Sequence, residues 1–316
     1  MNNNLMDKQL PLVSIVTPSY NKATFIEETI LSVRKQTYSN IEHIVVDGGS
    51  KDGTIDILRK HRDILTWVSE PDKGQSDAIN KGWKMAKGEI LGWLNADDTY
   101  QPWAVETAVK FLIAHQDVSM VYGQCNIINE YGKVIGQHPA TEFNLSDMVC
   151  GRDMVPQATV FLRARVLDAI GYLDTNLHMA MDVDLWIRIG LKFKIEYIPE
   201  LLANFRVSSG TKTVDEAHKF APDHFYILNK LLSDPALPEE IRRLKRRANS
   251  GIHLLAAAYS RGSPRSALGH CLSAILWHPP TFFANLVRWR TYKIAASALF
   301  PRSSRKLLGV ENRNRG

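Results

Sequence analysis

Short apolar segments alternate with amphipathic helical patterns along the first 122 residues of the chain. The apolar segments predict five strands, which are Val13–Thr17, Ile41–Val46, Leu65–Ser69, Glu89–Leu94 and Val118–Tyr122. The intervening segments predict four helices, which are Ala23–Arg34, Gly53–His61, Ser76–Ala86 and Pro102–Ala114. Alternation of this kind is typical of an α/β domain whose sheet is mainly parallel.

The pattern changes twice beyond Tyr122. From about residue 123 to residue 206 it predicts shorter elements, among them a strand at Ala158–Leu162 and a helix at Asp182–Gly190. Beyond about Asp215 we predict helices only, separated by prolines. Residues 254–279 in this part resemble one tetratricopeptide-like helical hairpin.

Four predicted strands are followed by polar segments, which are Pro18–Asn21, Asp47–Thr54, Glu70–Asp77 and Asn95–Asp98. Ligands of a doubly wound sheet bind at the carboxyl ends of its strands, so these segments are where we expect the site. Carboxylates that repel one another in one crevice imply a cation or a ligand rich in hydrogen-bond donors between them.

The sequence contains neither the Gly-x-x-x-x-Gly-Lys phosphate loop nor Gly-x-Gly-x-x-Gly after the first strand. A nucleotide would therefore have to be bound by another kind of motif. Asp47 could accept hydrogen bonds from a base or ribose, and Asp97 and Asp98 could hold Mg²⁺ or Mn²⁺ against a diphosphate.

Five segments together carry a resemblance to a known family, namely VSIVTPSYN, VVDGGSKDGT, EPDKGQSDAINKGW, LGWLNADD and MAMDVDLWIRIG. In order and spacing they are similar to the nucleotide-sugar and acceptor motifs of family 2 glycosyltransferases with the GT-A fold. The resemblance covers about residues 11–213. It implies a GT-A, Rossmann-like mixed sheet of α/β class with a helical extension after it.

The same resemblance implies a division of the chain. Residues 1–213 would form the catalytic domain, with a nucleotide-sugar half at 11–122 and an acceptor half at 123–213. Residues 214–316 would form a basic helical region. The implied activity is inverting transfer from a UDP- or dTDP-sugar to a saccharide or lipid-linked acceptor, in the synthesis of cell-surface polysaccharide.

The resemblance also assigns residues to the nucleotide. Those that would line the nucleoside pocket are Pro18, Tyr20 and Asn21. Asp47 would bond the uracil or ribose, and Gly48 and Gly49 would allow the nucleotide to approach closely. Asp77 would lie near the ribose or donor sugar.

Two further assignments concern the metal and the reaction. Asn95-Ala96-Asp97 would be the metal motif, with Asp97 as the direct ligand of Mn²⁺ or Mg²⁺. Asp182 would be the catalytic base. A divalent ion would stabilise the charge that builds on the leaving diphosphate, and a carboxylate would remove the proton of the acceptor hydroxyl.

The sequence departs from the family pattern at three places. Asn95 replaces the first aspartate of the metal motif, and Met181 replaces the glutamate that usually precedes the base. Residues 205–208, Phe-Arg-Val-Ser, stand where many relatives have Tyr-Arg-x-His. These changes bear on metal affinity and on the identity of the acceptor.

Structural roles compete with several of these assignments. Asp97 and Asp98 could cap the following helix, and Asp182 and Asp184 could serve a helix dipole. We expect Asp97 to bind metal, Asp182 to be the base and Asp184 to be structural. Three tryptophans in apolar patterns are expected in the core, and these are Trp83, Trp93 and Trp186.

Composition and charge narrow the class of protein. Hydrophobic residues make up 45% of the chain and charged residues 23%, which excludes a disordered or fibrous protein. No run approaches the apolar length of a membrane-spanning helix. The first ten residues lack the features of a secretory signal, so we expect a cytoplasmic location. Three scattered cysteines suit neither a disulfide framework nor a thiolate metal site.

Charge is distributed unevenly. Residues 241–316 contain 15 Lys and Arg and one acidic residue, a net charge of +14, while the first 240 residues carry 24 basic and 32 acidic residues, a net charge of −8. Arginines and lysines beside leucines and aromatic residues suit the headgroup region of an anionic bilayer at the inner face of a cell membrane. Alternatively, these helices pack on the catalytic domain. A nucleic-acid partner is not expected, because the body is acidic and the tail has no recognised nucleic-acid fold.

Two other functions remain open at the level of sequence. One is transfer to a polyprenyl phosphate, whose oxygen is already anionic and needs no base. The other is a non-catalytic nucleotide-sugar scaffold, because a fold alone does not establish catalysis.

Overall fold

The computed structural model describes residues 10–152, 154–208, 211–260 and 263–285. Within these residues nine strands form one sheet in the order β3-β2-β1-β4-β8-β6-β9-β5, with β7 paired to β6. The strands are β1 (Val13–Ser19), β2 (Ile41–Asp47), β3 (Thr66–Ser69), β4 (Ile90–Trp93), β5 (Thr99–Tyr100), β6 (Val118–Ile128), β7 (Val134–Gln137), β8 (Phe161–Arg163) and β9 (Lys194–Arg206).

Helices connect the strands and make up the described part of the chain beyond β9. Those of the first 190 residues are α1 (Ile26–Arg34), α2 (Thr54–Lys60), α3 (Gln75–Met85), α4 (Ala104–Ala114), α5 (Leu145–Val149), α6 (Arg165–Ile170) and α7 (Met181–Gly190). Those that follow β9 are α8 (Lys212–Asp215), α9 (Phe220–Ser233), α10 (Glu239–Arg242), α11 (Lys245–Tyr259) and α12 (Pro264–Trp277).

Pairing directions bring several strand ends to one edge of the sheet. β1 pairs in parallel with β2 and β4, and β2 pairs in parallel with β3. β8 is antiparallel to both β4 and β6, and β9 is parallel to β6. The carboxyl ends of β1, β2, β3, β4, β6 and β9 therefore share an edge, and the β1–β2 register places Ser19 opposite Asp47.

The predicted α/β pattern of the first 122 residues is confirmed, but two strand predictions need correction. The strand that we predict at Val118–Tyr122 runs on to Ile128, because its polar half pairs with β9 and β7. The strand that we predict at Ala158–Leu162 is a 3₁₀ turn at Gln157–Thr159 followed by β8. The hydroxyl of Thr159 donates to Pro156 O and accepts from Gly123 N, which fixes the turn.

One apolar core joins the sheet to the helices that follow it. Trp83 and Trp93 pack edge to face and share a core with Trp186 of α7, which confirms that all three tryptophans are buried. Residues of α9 to α11 belong to the same core, and they include Ile227, Leu228, Ile241, Ala248 and Ile252. These helices therefore share one core with the α/β part of the chain. No described helix has the length and apolar character needed to cross a membrane.

Candidate active site

The loop after β1 is held in an unusual conformation by the loop after β2. Asn21 has a φ of 51°, in the left-handed region that Asn tolerates better than most residues. Its backbone N–H donates to Ser50 Oγ at 2.7 Å, and its Oδ1 accepts from the N–H of Lys51 at 2.9 Å. The predicted nucleoside residue Asn21 thus builds the turn with its own side chain.

Asp47 organises the loop that follows β2. Its Oδ2 accepts from the N–H groups of Gly49 and Ser50 and from Ser69 Oγ, at 2.7 to 3.0 Å, and its Oδ1 accepts from Ser50 Oγ at 2.5 Å. The side chain is fully buried. The carboxylate that we expect to bond the base or ribose is therefore fixed in place by four hydrogen bonds.

The two glycines after Asp47 have different reasons to be glycine. Gly49 has a φ of 84°, which the turn requires. A Cβ on Gly48 would lie 2.6 Å from Asp72 Oδ2 and 3.3 Å from the ring of Tyr20, so glycine lets these two groups approach. Tyr20 is 62% exposed, which leaves its ring accessible to a base, whereas Pro18 is buried in β1.

Asp97 and Asp98 follow β4 and point in different directions. Asp98 is fully buried and accepts from the N–H of Arg206 at 2.9 Å. Burial, together with the neighbouring Asp97 carboxylate, raises the pKa of Asp98 well above its usual range. Asp97 is instead 13% exposed at its side chain and forms an ion pair of 2.6 Å with Lys22 Nζ. Asp97 is thus the accessible carboxylate of the pair.

Asn95 is the centre of a hydrogen-bond network. Its Oδ1 accepts from Gln75 Nε2 at 2.8 Å and from Trp93 Nε1 at 2.9 Å. Its Nδ2 donates to Asp98 Oδ2 at 3.2 Å and to Gln157 Oε1 at 3.0 Å. An indole N–H can only donate, so the atom that faces Trp93 must be the amide oxygen.

The remaining nucleotide-side residues lie apart from this network. The methyl group of Ala96 packs in a core cluster with α1 and α2 rather than facing the crevice. Asp77, in the first turn of α3, accepts from the N–H of Lys73 at 3.1 Å, and this bond with the charge of Lys81 lowers its pKa. Asp77 supports the start of α3 in this structure.

Asp182 lies in the first turn of α7, and Oδ1 accepts from the N–H of Val183 at 2.9 Å. Burial raises its pKa to about 6, an effect that the positive charge of Lys212 opposes and the negative charge of Asp223 supports. A carboxylate with a pKa near neutrality is suited to general base catalysis. Asp184, by contrast, pairs with Arg188 at 2.8 Å and Lys230 at 3.2 Å, which confirms its structural role.

Lys212 interacts both with the network around Asn95 and with Asp182. Its Nζ donates to Gln75 Oε1 at 3.2 Å, and Gln75 in turn donates to Asn95. Lys212 is partly buried, and this burial lowers its pKa, while its charge lowers the pKa of Asp182. The predicted base and the predicted metal motif are therefore both influenced by this lysine.

Asp223 of α9 fixes the segment that precedes Asp182, the predicted catalytic base. Its Oδ2 accepts from three consecutive N–H groups at 2.6 to 3.0 Å, those of His178, Met179 and Ala180. Asp182 follows two residues later. A residue beyond position 213 thus determines where the predicted base lies.

Sequence reasoning missed several residues of this site, which are Lys22, Gln75, Gln157, Lys212 and Asp223. Two of them had a signal, because Lys22 directly follows the first quoted motif and Gln75 lies within the third. Gln157 and Lys212 lie outside the quoted motifs. Asp223 occupies an ordinary helical position, where nothing in the pattern marks it.

The side chains at this edge of the sheet provide few ligands for a divalent ion. Among the described residues no group of three or more His, Cys, Asp or Glu side chains could hold a metal alone. Mg²⁺ is commonly bound by one or two carboxylates together with substrate phosphates and water. One accessible carboxylate, Asp97, at the edge of the sheet therefore fits an ion shared with a diphosphate.

Residues 14–161 match the family model described as glycosyl transferase family 2. An uncharacterized glycosyltransferase of Mycobacterium tuberculosis is 34% identical over 185 residues, which cover 57% of this chain and 70% of that protein. The chain spans only 36% of a longer uncharacterized glycosyltransferase of Rickettsia felis that it also matches.

Two solved structures resemble the whole fold. S. aureus TarS 1-349 in complex with UDP-GlcNAc has a TM-score of 0.61 at 18% identity, over 94% of this chain and 84% of that one. Mannosyltransferase PcManGT from Pyrobaculum calidifontis, in complex with GDP-Man and Mn²⁺, has a TM-score of 0.61 at 20% identity, over 96% and 85%. The architecture is that of the GT-A glycosyltransferases. With this fold, the matched family model and the Mycobacterium relative, the chain belongs to glycosyl transferase family 2.

Proposed function

We propose that this glycosyltransferase moves a sugar, with inversion, from a UDP- or dTDP-sugar to a hydroxyl of a saccharide or lipid-linked acceptor in cell-surface polysaccharide synthesis. The observation that carries the proposal is the chain of hydrogen bonds from Lys212 through Gln75 to Asn95. Lys212, at one end of this chain, also acts through its charge on Asp182, a carboxylate with a pKa of about 6, and Asn95, at the other end, lies two residues before Asp97.

The nucleotide sugar would bind across the ends of β1, β2 and β4. Tyr20 supplies an exposed aromatic face for the base, and Asp47 lies at the end of the neighbouring strand. TarS and PcManGT, which share this fold, bind UDP-GlcNAc and GDP-Man. These ligands support a nucleoside diphospho-sugar as the donor class.

A divalent ion would be held by Asp97 together with the donor diphosphate. When bound, Mn²⁺ or Mg²⁺ supplies a Lewis acid for the leaving phosphates. PcManGT, whose complex contains Mn²⁺, supports this assignment. The protein's own contribution is to keep Asp97 accessible while Asp98 is turned into the core.

Asp182 would act as the general base. Its carboxylate accepts the proton of the acceptor hydroxyl as that oxygen attacks C1, and the C1–O bond breaks with its electron pair moving to the diphosphate. A general base contributes about 10²- to 10⁴-fold to such a reaction. Lys212 favours the ionised form of Asp182, which is the form that accepts a proton.

Asp182→Asn tests whether Asp182 acts as the general base and distinguishes the three candidate functions. We expect turnover to fall by about 10²-fold or more, with donor binding retained in a thermal-shift assay. Unchanged turnover would favour a polyprenyl phosphate acceptor, whose oxygen needs no base. A scaffold predicts binding without turnover in the wild type, whereas slow UDP-sugar hydrolysis that Asp97→Ala abolishes would contradict it.

We also propose that the protein binds, as a peripheral membrane protein, to the anionic inner face of the cell membrane. α12 presents an apolar face that no described residue covers, because Leu268, Leu272 and Leu276 are 61%, 53% and 80% exposed at a spacing of one helical turn. Arg246 donates to Trp277 O at 3.0 Å, which brings the basic start of α11 beside this face. Apolar side chains next to basic ones complement an anionic headgroup layer, and each basic residue adds about 1 kcal/mol.

Vesicle co-sedimentation of the full chain tests this surface. With phosphatidylserine-containing vesicles at low salt, the wild type should pellet and L272E/L276E should remain in the supernatant. Ile113→Glu is the matched control, since Ile113 is 48% exposed on α4, in the acidic part of the chain. Equal sedimentation of all three proteins would contradict the proposal, and so would a concentration-dependent dimer that only L272E/L276E abolishes without any vesicle binding.

A further inference from the structure

A lysine faces the carboxylate of the metal motif. Lys22 Nζ lies 2.6 Å from Asp97 Oδ2, with side-chain exposures of 25% and 13%. The two residues are 75 positions apart in sequence and meet because the ends of β1 and β4 are neighbours. The pair is partly buried, so each charge depends on the other more than an exposed surface pair would.

The backbone around Lys22 is fixed, so the position of its side chain is built into the fold. The N–H of Lys22 donates to Thr54 Oγ1 at 2.9 Å, and the N–H of Ala23 donates to Asp52 Oδ2 at 3.0 Å. The preceding Asn21 adopts its left-handed conformation with two further hydrogen bonds. A residue that served only as a solvated surface charge would not need this support.

The charge of the metal motif also fits a lysine partner. Asn95 replaces one aspartate, and its amide is occupied by hydrogen bonds on both sides. Asp97 therefore presents about one negative charge, which one lysine balances. A diphosphate brings more negative charge than this carboxylate, and phosphate oxygens are strong acceptors for an ammonium group.

We propose that Lys22 exchanges partners during the reaction: its ammonium group separates from Asp97 and binds the diphosphate of the donor instead. This inference rests on the proposed nucleotide-sugar function and adds a residue to it. In the exchange the Asp97 carboxylate becomes available to a cation, and the ammonium group of Lys22 meets the charge that develops on the leaving diphosphate. The exchange replaces one ion pair with another, and no covalent bond changes.

Calorimetric titration with UDP and UMP, with no metal present, tests the exchange. For Lys22→Met we expect UDP to bind about tenfold or more weakly, as for the loss of a hydrogen bond between charged groups, with UMP affinity little changed. Lys22→Arg should retain most of the UDP affinity. Lys60→Met, which removes an exposed charge from α2, is the matched control and should bind both nucleotides as the wild type does.

A second measurement uses Mn²⁺ alone. Lys22→Met should bind Mn²⁺ more tightly than the wild type in the absence of nucleotide, because no ammonium group competes for Asp97. Equal loss of UDP and UMP affinity in Lys22→Met, or no loss of either, would overturn the inference. A wild type that binds neither UDP nor dTDP would instead contradict the proposed function, so the two failures are distinguishable.

Discussion

At the scale of single residues, Asp182 illustrates how a functional group can cost stability. Its pKa of about 6 in the fold lies above the ordinary value of 3.8, mainly because burial disfavours the charged form. The folded state therefore binds this proton more tightly than the unfolded chain. Asp182 therefore does not lower the free energy of unfolding below pH 4, and it lowers this free energy progressively as the pH rises from 4 to about 6.

Asp182→Asn should therefore raise the melting temperature at pH 8 and leave it nearly unchanged at pH 3.5. The gain at pH 8 is about 3 kcal/mol, because the variant no longer has to ionise a buried carboxyl group. Differential scanning calorimetry at the two pH values measures this. A variant that is less stable than the wild type at pH 8 would show that the carboxylate is stabilised in the fold.

The second residue-scale prediction concerns Lys212. Its positive charge lowers the pKa of Asp182, so Lys212→Met should raise that pKa and move the acid limb of the kcat/KM profile to higher pH. The wild type should reach roughly half of its plateau near pH 6. The control is Lys219→Met, because Lys219 forms an ion pair with Glu216. Coincident acid limbs for the wild type and Lys212→Met would contradict the role.

At the scale of elements, α9 positions the segment before α7. Asp223→Asn replaces the charged oxygen that accepts all three N–H groups by a neutral amide oxygen, which is a weaker acceptor, so we expect the loop at residues 178–180 to be held less firmly. Turnover should fall with UDP binding retained, and the free energy of unfolding should fall by about 1 to 3 kcal/mol. Removing the charge should also move the acid limb to lower pH, opposite to Lys212→Met.

Asp234→Asn is the control for that variant, because Asp234 accepts one N–H, from Ala236, and an amide oxygen can replace it. The control should resemble the wild type in turnover and in melting temperature. If Asp223→Asn lost UDP affinity in proportion to turnover, α9 would support the donor site rather than the base.

Elements also show what the sequence could and could not predict. The β1 and β2 strands were predictable because each is short and rich in valine and isoleucine, and the predicted segments at their carboxyl ends do meet at one edge. β6 was predicted too short, because its second half is held by pairing rather than by apolar side chains. The sequence places Asn95 in the predicted metal motif, but only the three-dimensional arrangement reveals that both sides of its amide are engaged.

At the scale of the whole molecule, the helices beyond residue 213 divide into two kinds. α9, α10 and α11 contribute side chains to the core that also contains α3 and α7. α12 packs on α11 but turns Leu268, Leu272 and Leu276 toward solvent. The boundary that the resemblance implies at residue 214 therefore does not separate two cores, because packing continues from the sheet as far as α11.

This packing predicts that the catalytic domain and α9 to α11 unfold together. Ile252 of α11 is 2% exposed in the shared core, so Ile252→Ala should lower the free energy of unfolding by about 2 to 5 kcal/mol in a single transition. Leu272→Ala, at an exposed position, should change it by no more than about 0.5 kcal/mol. Urea denaturation followed by both circular dichroism and tryptophan fluorescence measures this. Two separate transitions, with Ile252→Ala shifting only one, would mean that the C-terminal helices form an independent unit.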